Sequence, residues 1–90
     1  MEQEEHKSAF QKIKDKNSAY LVLHNDEINT FDFVIDVLID ICDHTELQAE
    51  QCALITHHKG KCDIKKGPKT ILKPMKDFLI EKGLSVTVEV

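Results

Sequence analysis

Apolar and polar residues follow a two-residue period in some parts of the chain and a helical period in others, and this pattern predicts six elements. Residues 18–24 form a nearly continuous apolar run, as expected for a strand buried on both faces. Residues 61–65 predict a second short strand, followed by a turn at Gly67 and Pro68. Along residues 84–90, apolar and polar residues alternate, which indicates a third strand with one buried face.

The strongest helical pattern covers residues 30–43. Its apolar residues recur at helical spacing and predict a stripe facing the core, made of Phe31, Val34, Ile35, Leu38, Ile41 and Cys42. Asp32, Asp36 and Asp40 form an acidic stripe on the other side of the same helix. Such a stripe is either a solvated face or a docking edge for a basic partner.

A second helix is predicted over residues 46–59, because Thr45 and Gln48 have the spacing of a capping box and Gly60 suits the end of a helix. One face of this helix carries small residues followed by a histidine, namely Ala49, Cys52, Ala53, Thr56 and His57. Small side chains allow a close approach. This face therefore either packs tightly against another element or borders a cavity.

A third helix is predicted to end near Lys82, before Gly83, with an apolar face toward the core made of Ile71, Met75, Phe78 and Leu79. An interior proline costs about 3 kcal/mol, so Pro74 is predicted at N1 or elsewhere in the first turn. The resulting β-α-α-β-α-β order predicts an α+β domain, in which a small three-stranded, largely antiparallel sheet packs with three helices. The domain is expected to span residues 18–90, since residues 1–17 are highly charged and predict a flexible N-terminal tail.

Length and composition favour a binding module over an enzyme. The 90 residues make one small domain with a thin core, which leaves room for a surface cavity rather than a deep active site. The formal net charge is -4 and arginine is absent, which argues against nucleic-acid recognition, because that recognition relies on the paired donors of arginine. The chain has no run of about eighteen apolar residues, so no membrane span is predicted.

Cysteine and histidine usage predicts a reducing, cytoplasmic setting without a metal or other cofactor. The three cysteines, Cys42, Cys52 and Cys62, form no C-x-x-C pair, and the N-terminus lacks the pattern of a signal peptide. The histidines do not have zinc-finger spacing. Nothing in the sequence pairs a cysteine with an orienting base, so hydrolase chemistry is not indicated.

Residues 24–31, HNDEINTF, join the first predicted strand to the first predicted helix. That helix needs only one capping residue, and Asn29 or Thr30 can serve. Asn25 and Asp26 are then surplus acceptors, an amide oxygen and a carboxylate beside a helix start. A small cationic group such as a primary amine needs these groups from a protein.

Residues 24–38 closely resemble the start of the ClpS family, the adaptors that bring N-degron substrates to an AAA+ Clp protease. Residues 57–61, HHKGK, resemble the second signature of that family at about the expected distance. The resemblance extends over residues 19–89, most of the chain. The fold that it implies agrees with the one that the hydrophobic pattern predicts.

The resemblance implies two parts of a binding site. Asn25, Asp26 and His57 are identical to the residues with which the family holds the α-ammonium group of a protein's first residue. An acetylated or internal nitrogen lacks that charge and its three donors. The side chain of the same first residue would enter an apolar pocket whose walls are, by position, Ile28, Asn29, Phe31, Val34, Ala53, Thr56 and Leu84.

The chain departs from the family pattern at three pocket positions. Ala53 and Thr56 stand where the family usually has bulky apolar residues, and Phe31 stands where it has methionine or a similar residue. Smaller walls predict a deeper, more polar pocket that favours aromatic first residues over leucine, unless Phe31 fills the space. The segment after Gly60 is also several residues shorter than in common bacterial members.

The function implied by the resemblance is that of a non-enzymatic, monomeric adaptor. It would bind proteins that begin with Phe, Leu, Tyr or Trp and deliver them to the N-terminal domain of a ClpA-like or ClpC-like unfoldase. Residues 1–17 would assist delivery by engaging the unfoldase. The alternative is a partner-docking module that uses the acidic stripe and has no degron pocket.

Overall fold

The computed structural model describes residues 18–90, and the predicted tail at residues 1–17 lies outside the described part. The elements are β1 (Ser18–His24), α1 (Phe31–Cys42), α2 (Glu46–Lys59), β2 (Lys61–Pro68), α3 (Lys69–Glu81) and β3 (Val86–Glu89). The predicted α+β class and the predicted order of elements are confirmed.

The three strands form one antiparallel sheet in the order β2-β1-β3. As predicted from its continuous apolar run, β1 is the central strand. Leu21, Val22 and Leu23 are all buried, although their side chains alternate between the two faces. The pairing of β1 with β2 shifts register between Leu21 and Val22.

The caps of α1 and α2 follow from local sequence. Thr30 is the N-cap of α1, since its hydroxyl accepts a hydrogen bond from the Phe33 amide at 3.1 Å. Thr45 and Gln48 form the predicted capping box at the start of α2, with bonds of 2.9 and 3.1 Å. Gly60 ends α2 at φ 93°, a conformation that glycine adopts without strain.

The core-facing stripe of α1 is largely as predicted, since Val34, Ile35 and Ile41 pack against the core beside the buried residues. Leu38 and Cys42 are buried as predicted, and Val37 joins them. Phe31 was predicted to face the core but is 43% exposed. It is the first residue of the helix, so its side chain lies where the apolar layer between helix and sheet ends. The acidic residues Asp32, Asp36 and Asp40 are all exposed.

The segment from β2 into α3 differs most from the prediction. Gly67 and Pro68 do not form a turn but complete β2, where Pro68 pairs with Ser18 at the end of an edge strand. An edge position leaves the proline's missing N–H without consequence for the sheet. Because β2 passes directly into α3, the helix begins at Lys69.

The early start of α3 changes the place of Pro74, and the buried face of the helix also differs in part from the prediction. Pro74 is the sixth residue of the helix rather than a first-turn residue. Pro74 and Thr70, whose carbonyl loses its amide partner to the proline, are both exposed to solvent. Of the four predicted core residues, Leu79 is buried and Met75 packs against the core, whereas Ile71 and Phe78 are 50% and 58% exposed. Leu72 is buried instead. Ile71 and Leu72 both fit a helical stripe that contains Met75 and Leu79, and packing against the sheet selects Leu72.

Candidate functional site

A cavity of about 580 Å³ opens where β1 ends, between the loop that follows it, the start of α1 and the second half of α2. Residues from four segments of the chain line it, namely Leu23, His24, Asn25, Asp26, Glu27, Asn29, Phe31, Val34, Ala53, Thr56 and His57. The polar lining, with two carboxylates, comes from the loop after β1 and from His57, and is called the polar end below. The small and apolar lining comes from α1 and from Ala53 and Thr56 of α2, and is called the apolar end below.

Most of the residues that the sequence assigned to a site lie around this cavity. The three expected amine-binding residues, Asn25, Asp26 and His57, all line it. Five of the seven expected wall residues do so as well, namely Asn29, Phe31, Val34, Ala53 and Thr56. Ile28 and Leu84 do not. Ile28 is 89% exposed at the loop surface, and Leu84 is buried in the core.

Asp26 is held by the loop in which it lies. Its Oδ1 accepts hydrogen bonds from the backbone amides of Ile28 and Asn29, each at 2.9 Å. Its Oδ2 accepts one from the Asn29 side-chain amide at 2.9 Å and a longer one from the Ser85 hydroxyl at 3.4 Å. The expectation that Asp26 is surplus to local structure was therefore wrong, because this carboxylate organises the turn.

These hydrogen bonds also set the charge of Asp26. Burial alone would raise the pKa of its carboxyl group. The hydrogen bonds, with those of Asn29 foremost, outweigh burial and hold the pKa below its ordinary value of 3.8. Asp26 is consequently ionised at neutral pH and places a fixed negative charge at the polar end of the cavity.

Asn29 connects this loop to a distant part of the chain. Its side-chain amide donates to Asp26 and also to the carbonyl of Gly83 at 2.8 Å. Gly83 has φ 95° and follows α3. Asn29 thus serves as a brace between the loop and the segment that leads into β3.

Asn25 and His57 complete the polar end of the cavity. The backbone amide of Asn25 donates to the carbonyl of Gly60 at 2.9 Å, which ties the loop to the end of α2. The Asn25 side chain has no hydrogen bond to the described residues, and the same is true of the His57 ring. That ring is exposed and lies edge-on to His58, with 5.3 Å between the ring centroids.

The apolar end is formed where α2 carries small residues. Ala53 and Thr56 are 5% exposed. The Thr56 hydroxyl donates to the backbone carbonyl of Cys52 at 2.8 Å, so its proton is already used within the helix. The expected gain in polarity from Thr56 is therefore smaller than the residue type suggests.

Leu23, His24 and Glu27 line the cavity but were not assigned to it from sequence. His24 Nε2 lies 2.8 Å from the Thr87 hydroxyl and 3.4 Å from a Glu89 carboxylate oxygen, so it also fastens the end of β1 to β3. The hydrogen bond from Thr87 is the main cause that holds the pKa of Glu89 below its usual range. The contiguity of these residues with Asn25 and Asp26 is the one sequence signal that marked them.

Two features are absent from the described residues. Within residues 18–90, no group of three or more histidine, cysteine or acidic side chains is arranged to hold a metal ion. Over the same range, no helix is both long and apolar enough to cross a membrane.

The fold and the cavity together define a small α+β domain that presents a fixed carboxylate beside an apolar recess. The chain belongs to the ClpS family: residues 14–87 match the family described as ATP-dependent Clp protease adaptor protein ClpS. This is a family of adaptors. The family predicted from the two sequence motifs is thus confirmed.

Two individual proteins illustrate the relationship. The ATP-dependent Clp protease adapter protein ClpS of Oleidesulfovibrio alaskensis is 38% identical over 50 residues, which cover 56% of this chain and 48% of that protein. The match therefore spans about half the length of this relative. The structure of Agrobacterium tumefaciens ClpS2 bound to L-phenylalaninamide has a TM-score of 0.71 and 23% identity, over 81% of this chain and 95% of that one. This structural similarity supports the fold described above.

Proposed function

We propose that this protein is a non-enzymatic adaptor that captures other proteins by their first residue and delivers them to an AAA+ Clp protease. The observation that carries the proposal is the composition of the 580 Å³ cavity, in which a fixed carboxylate lies at one end and an apolar recess at the other. A free N-terminal residue with a large apolar side chain has the complementary arrangement of an ammonium group and an apolar body.

The polar end is suited to an ammonium group in charge and in geometry. Asp26 supplies the negative charge, while most of its acceptor positions are occupied by the loop. The side chains of Asn25 and His57 line the cavity and have no hydrogen-bond partners among the described residues, so their acceptor atoms are available to a ligand. In this division of roles, Asp26 attracts the ammonium group and the other two residues fix its position.

The apolar end is suited to a large unbranched or aromatic side chain. A volume of 580 Å³ lies within the roughly 300–1,000 Å³ typical of small-molecule pockets. Burying a Phe or Leu side chain contributes about 1.5–3 kcal/mol, whereas β-branched side chains are stiffer and harder to seat. Phe, Tyr, Trp and Leu are the expected first residues. The phenylalaninamide bound to the Agrobacterium relative combines the same two groups.

Delivery is the second half of the proposed function. The partner is the N-terminal domain of a ClpA-like or ClpC-like unfoldase, and the adaptor acts as a monomer. Residues 1–17 engage the unfoldase, while the cavity holds the substrate. Among residues 18–90, the lining of the cavity begins at Leu23. In this proposal, capture rests on the described domain and delivery on residues 1–17.

The test is binding of short peptides that differ only at the first residue, measured by fluorescence anisotropy with a label at the peptide's C-terminus. Peptides that begin with Phe, Tyr, Trp or Leu are expected to bind, while Met-starting and Gly-starting peptides bind much more weakly. Acetylating the Phe peptide removes hydrogen bonds to a charged group worth about 1.5–3 kcal/mol each. Its affinity is therefore expected to fall by at least about tenfold.

The exposed acidic stripe of α1 supports the alternative, a docking module without a degron pocket. Asp32, Asp36 and Asp40 are exposed, and none forms an ion pair with another described residue. The same peptide experiment separates the two functions. Equal binding of free and acetylated peptides excludes capture through the amine and favours docking through this stripe.

A further inference from the structure

A second cavity, of about 390 Å³, lies between α2 and β2 and shares no lining residue with the first. Its walls are partly apolar and partly polar, and consist of His44, Leu47, Gln48, Gln51, Cys52, Ile55, Cys62, Asp63 and Ile64. Nothing in the proposed adaptor function uses these residues. The cavity is notable for the two cysteine side chains that it brings together.

Cys52 comes from α2 and Cys62 from β2, and both side chains line this cavity. The Cys62 thiol lies near enough to raise the pKa of the Cys52 thiol, while its own hydrogen bond goes to the carbonyl of Asp63 at 3.5 Å. Cys52 is 4% exposed, while Cys62 is only half-buried. The third cysteine, Cys42, is buried in the core close to Cys52 but does not line the cavity. A small molecule that enters the cavity thus reaches Cys62 first, has Cys52 beside it, and does not meet Cys42.

The surroundings keep the two buried cysteines protonated. Burial raises the pKa of the Cys52 thiol, and the neighbouring Cys62 raises it further. Burial also raises the pKa of Cys42 to about 11, although the positive charge of Lys65 opposes this. Cys52 and Cys42 are therefore poor first nucleophiles, because thiolates and not thiols react with oxidants.

His44 places a base in the same cavity. Its Nε2 lies 2.9 Å from the carbonyl oxygen of Ile64. A carbonyl can only accept, so Nε2 carries the proton of the neutral ring and Nδ1 is left as an acceptor. This Nδ1 is buried and has no hydrogen-bond partner among the described residues. The cavity lining thus brings together a half-buried thiol, a buried thiol and a histidine ring with one nitrogen that has no partner among the described residues.

We propose that Cys52 and Cys62 are a dithiol modification site, at which a hydroperoxide converts the two thiols to an intrachain disulfide. The Cys62 sulfur attacks the peroxide oxygen, which forms an S–O bond and breaks the O–O bond. The leaving oxygen takes the thiol proton, so hydrogen peroxide yields water and Cys62 becomes a sulfenic acid. The Cys52 sulfur then attacks the Cys62 sulfur, and the expelled hydroxyl leaves as water with the Cys52 proton. Two thiols are oxidised by two electrons in total, and the peroxide is reduced.

The resulting link joins the two elements on either side of Gly60. Cys52 directly precedes the cavity residue Ala53, and the carbonyl of Gly60 holds the amide of Asn25. The disulfide therefore ties together the backbone segments that carry part of the first cavity. The proposal does not depend on what that cavity binds, because it concerns only the chemistry of the thiols.

The chain itself allows the linkage to be mapped. The reduced full-length protein is treated with an equimolar amount of hydrogen peroxide, and remaining thiols are then alkylated. Combined digestion after lysine and glutamate separates the cysteines into residues 28–46, 51–59 and 62–65. Mass spectrometry is expected to find 51–59 joined to 62–65 in a product that has lost two hydrogens, with Cys42 alkylated. Reduction with dithiothreitol restores all three free thiols.

Single variants distinguish this site from general thiol oxidation. Cys42→Ser is expected to retain the disulfide, while Cys62→Ser loses it completely. In Cys52→Ser, the Cys62 sulfenic acid persists and is trapped by dimedone. A disulfide that contains Cys42, a link between two copies of the chain, or oxidation of Cys62 with Cys52 left free would each overturn the proposal. Cys62 is half-buried, so its replacement by serine remains informative even where a core substitution unfolds the protein.

Discussion

Asn29 donates a hydrogen bond to each oxygen of the Asp26 carboxylate. Its backbone amide donates to Oδ1 and its side-chain amide to Oδ2, each at 2.9 Å. Such a two-point contact fixes the plane of the carboxylate as well as its position. The amide that reaches Oδ2 also donates to Gly83, so the orientation of Asp26 depends on the segment after α3. The negative charge of the cavity is therefore placed by contacts between parts of the chain that are far apart in sequence.

Two asparagine variants are expected to separate binding from stability. Asn29→Ala removes two side-chain hydrogen bonds and is expected to lower the free energy of unfolding by about 1–3 kcal/mol. It also lowers the ratio between the affinities of free and acetylated peptides. Asn25→Ala removes a side chain without internal hydrogen bonds, so it weakens peptide binding with little change in stability. Urea unfolding and anisotropy check both, and an Asn29→Ala protein of unchanged stability contradicts the brace.

Ser85→Ala is expected to leave the binding of free-amine peptides unchanged or to strengthen it by a few-fold. The Ser85 hydroxyl makes the longest of the four hydrogen bonds to Asp26, at 3.4 Å. An incoming ammonium group has most to gain at Oδ2 by replacing this weak donor, because the other three bonds belong to the turn. The measurement is peptide affinity by isothermal titration calorimetry. A loss of more than about tenfold would mean that Ser85 assists binding.

Ala53→Met is expected to reduce the affinity of Trp and Phe peptides more than that of a Leu peptide. Ala53 is 5% exposed and lines the apolar end of the cavity, so a longer side chain takes up space that large rings need. Comparing the three peptides on both proteins gives the change in rank order. Leu54→Met serves as a matched control, because Leu54 is exposed and lies outside the cavity. An unchanged order in Ala53→Met contradicts the assigned role of this position.

Acid is expected to remove a part of the stability that comes from Asp26. Its folded-state pKa lies below the ordinary value of 3.8, so its contribution is complete above that pH and is lost as pH falls through the folded-state pKa. Asp26→Asn is therefore expected to be less stable than the parent at neutral pH and to lose less stability in acid. Urea unfolding at pH 7 and pH 3 measures this difference. Asp36→Asn, at an exposed position without described hydrogen bonds, is the control.

Capture and delivery are expected to fail independently. A protein lacking residues 1–17 is expected to retain peptide affinity, because the lining residues found within residues 18–90 all remain, and no longer to accelerate degradation of an N-degron substrate by the cognate Clp protease. Asn25→Ala loses peptide affinity yet still binds the unfoldase. A deletion that abolishes peptide binding, or an Asn25→Ala protein that delivers substrate normally, shows that the two roles were assigned to the wrong parts of the chain.

Local sequence predicted those features of the fold that depend on a few neighbouring residues. The capping box of Thr45 and Gln48, the helix end at Gly60 and the central strand β1 all follow from short-range geometry. The buried face of α3 was predicted only in part: Leu79 is buried and Met75 packs against the core. Ile71 and Leu72 both fit the helical stripe, and only packing against the sheet decides between them. The predicted position of Pro74 in the first turn was wrong because β2 extends to Pro68 and the helix therefore begins earlier than predicted, at Lys69.

In the candidate site, too, the features set by neighbouring residues were predicted and those set by distant contacts were not. Asn25 and Asp26 stood out because they follow a strand and precede a helix, and both line the cavity. The use of Asp26 within its own loop was not visible, since one of its donors, Ser85, is 59 residues away. Leu84 was assigned to the wall by position in a family pattern, whereas packing buries it in the core. A role that depends on contacts between distant parts of the chain cannot be predicted from a local sequence pattern.

The two outer strands of the sheet also bear on how the protein behaves at high concentration. An unpaired strand edge is a template for adding strands from other molecules, and lysines, proline and short length all discourage this. On one side, β2 carries exposed Lys61 and Lys65 and ends at Pro68. On the other, β3 is only four residues long. Both edges therefore resist the stacking of chains into fibres.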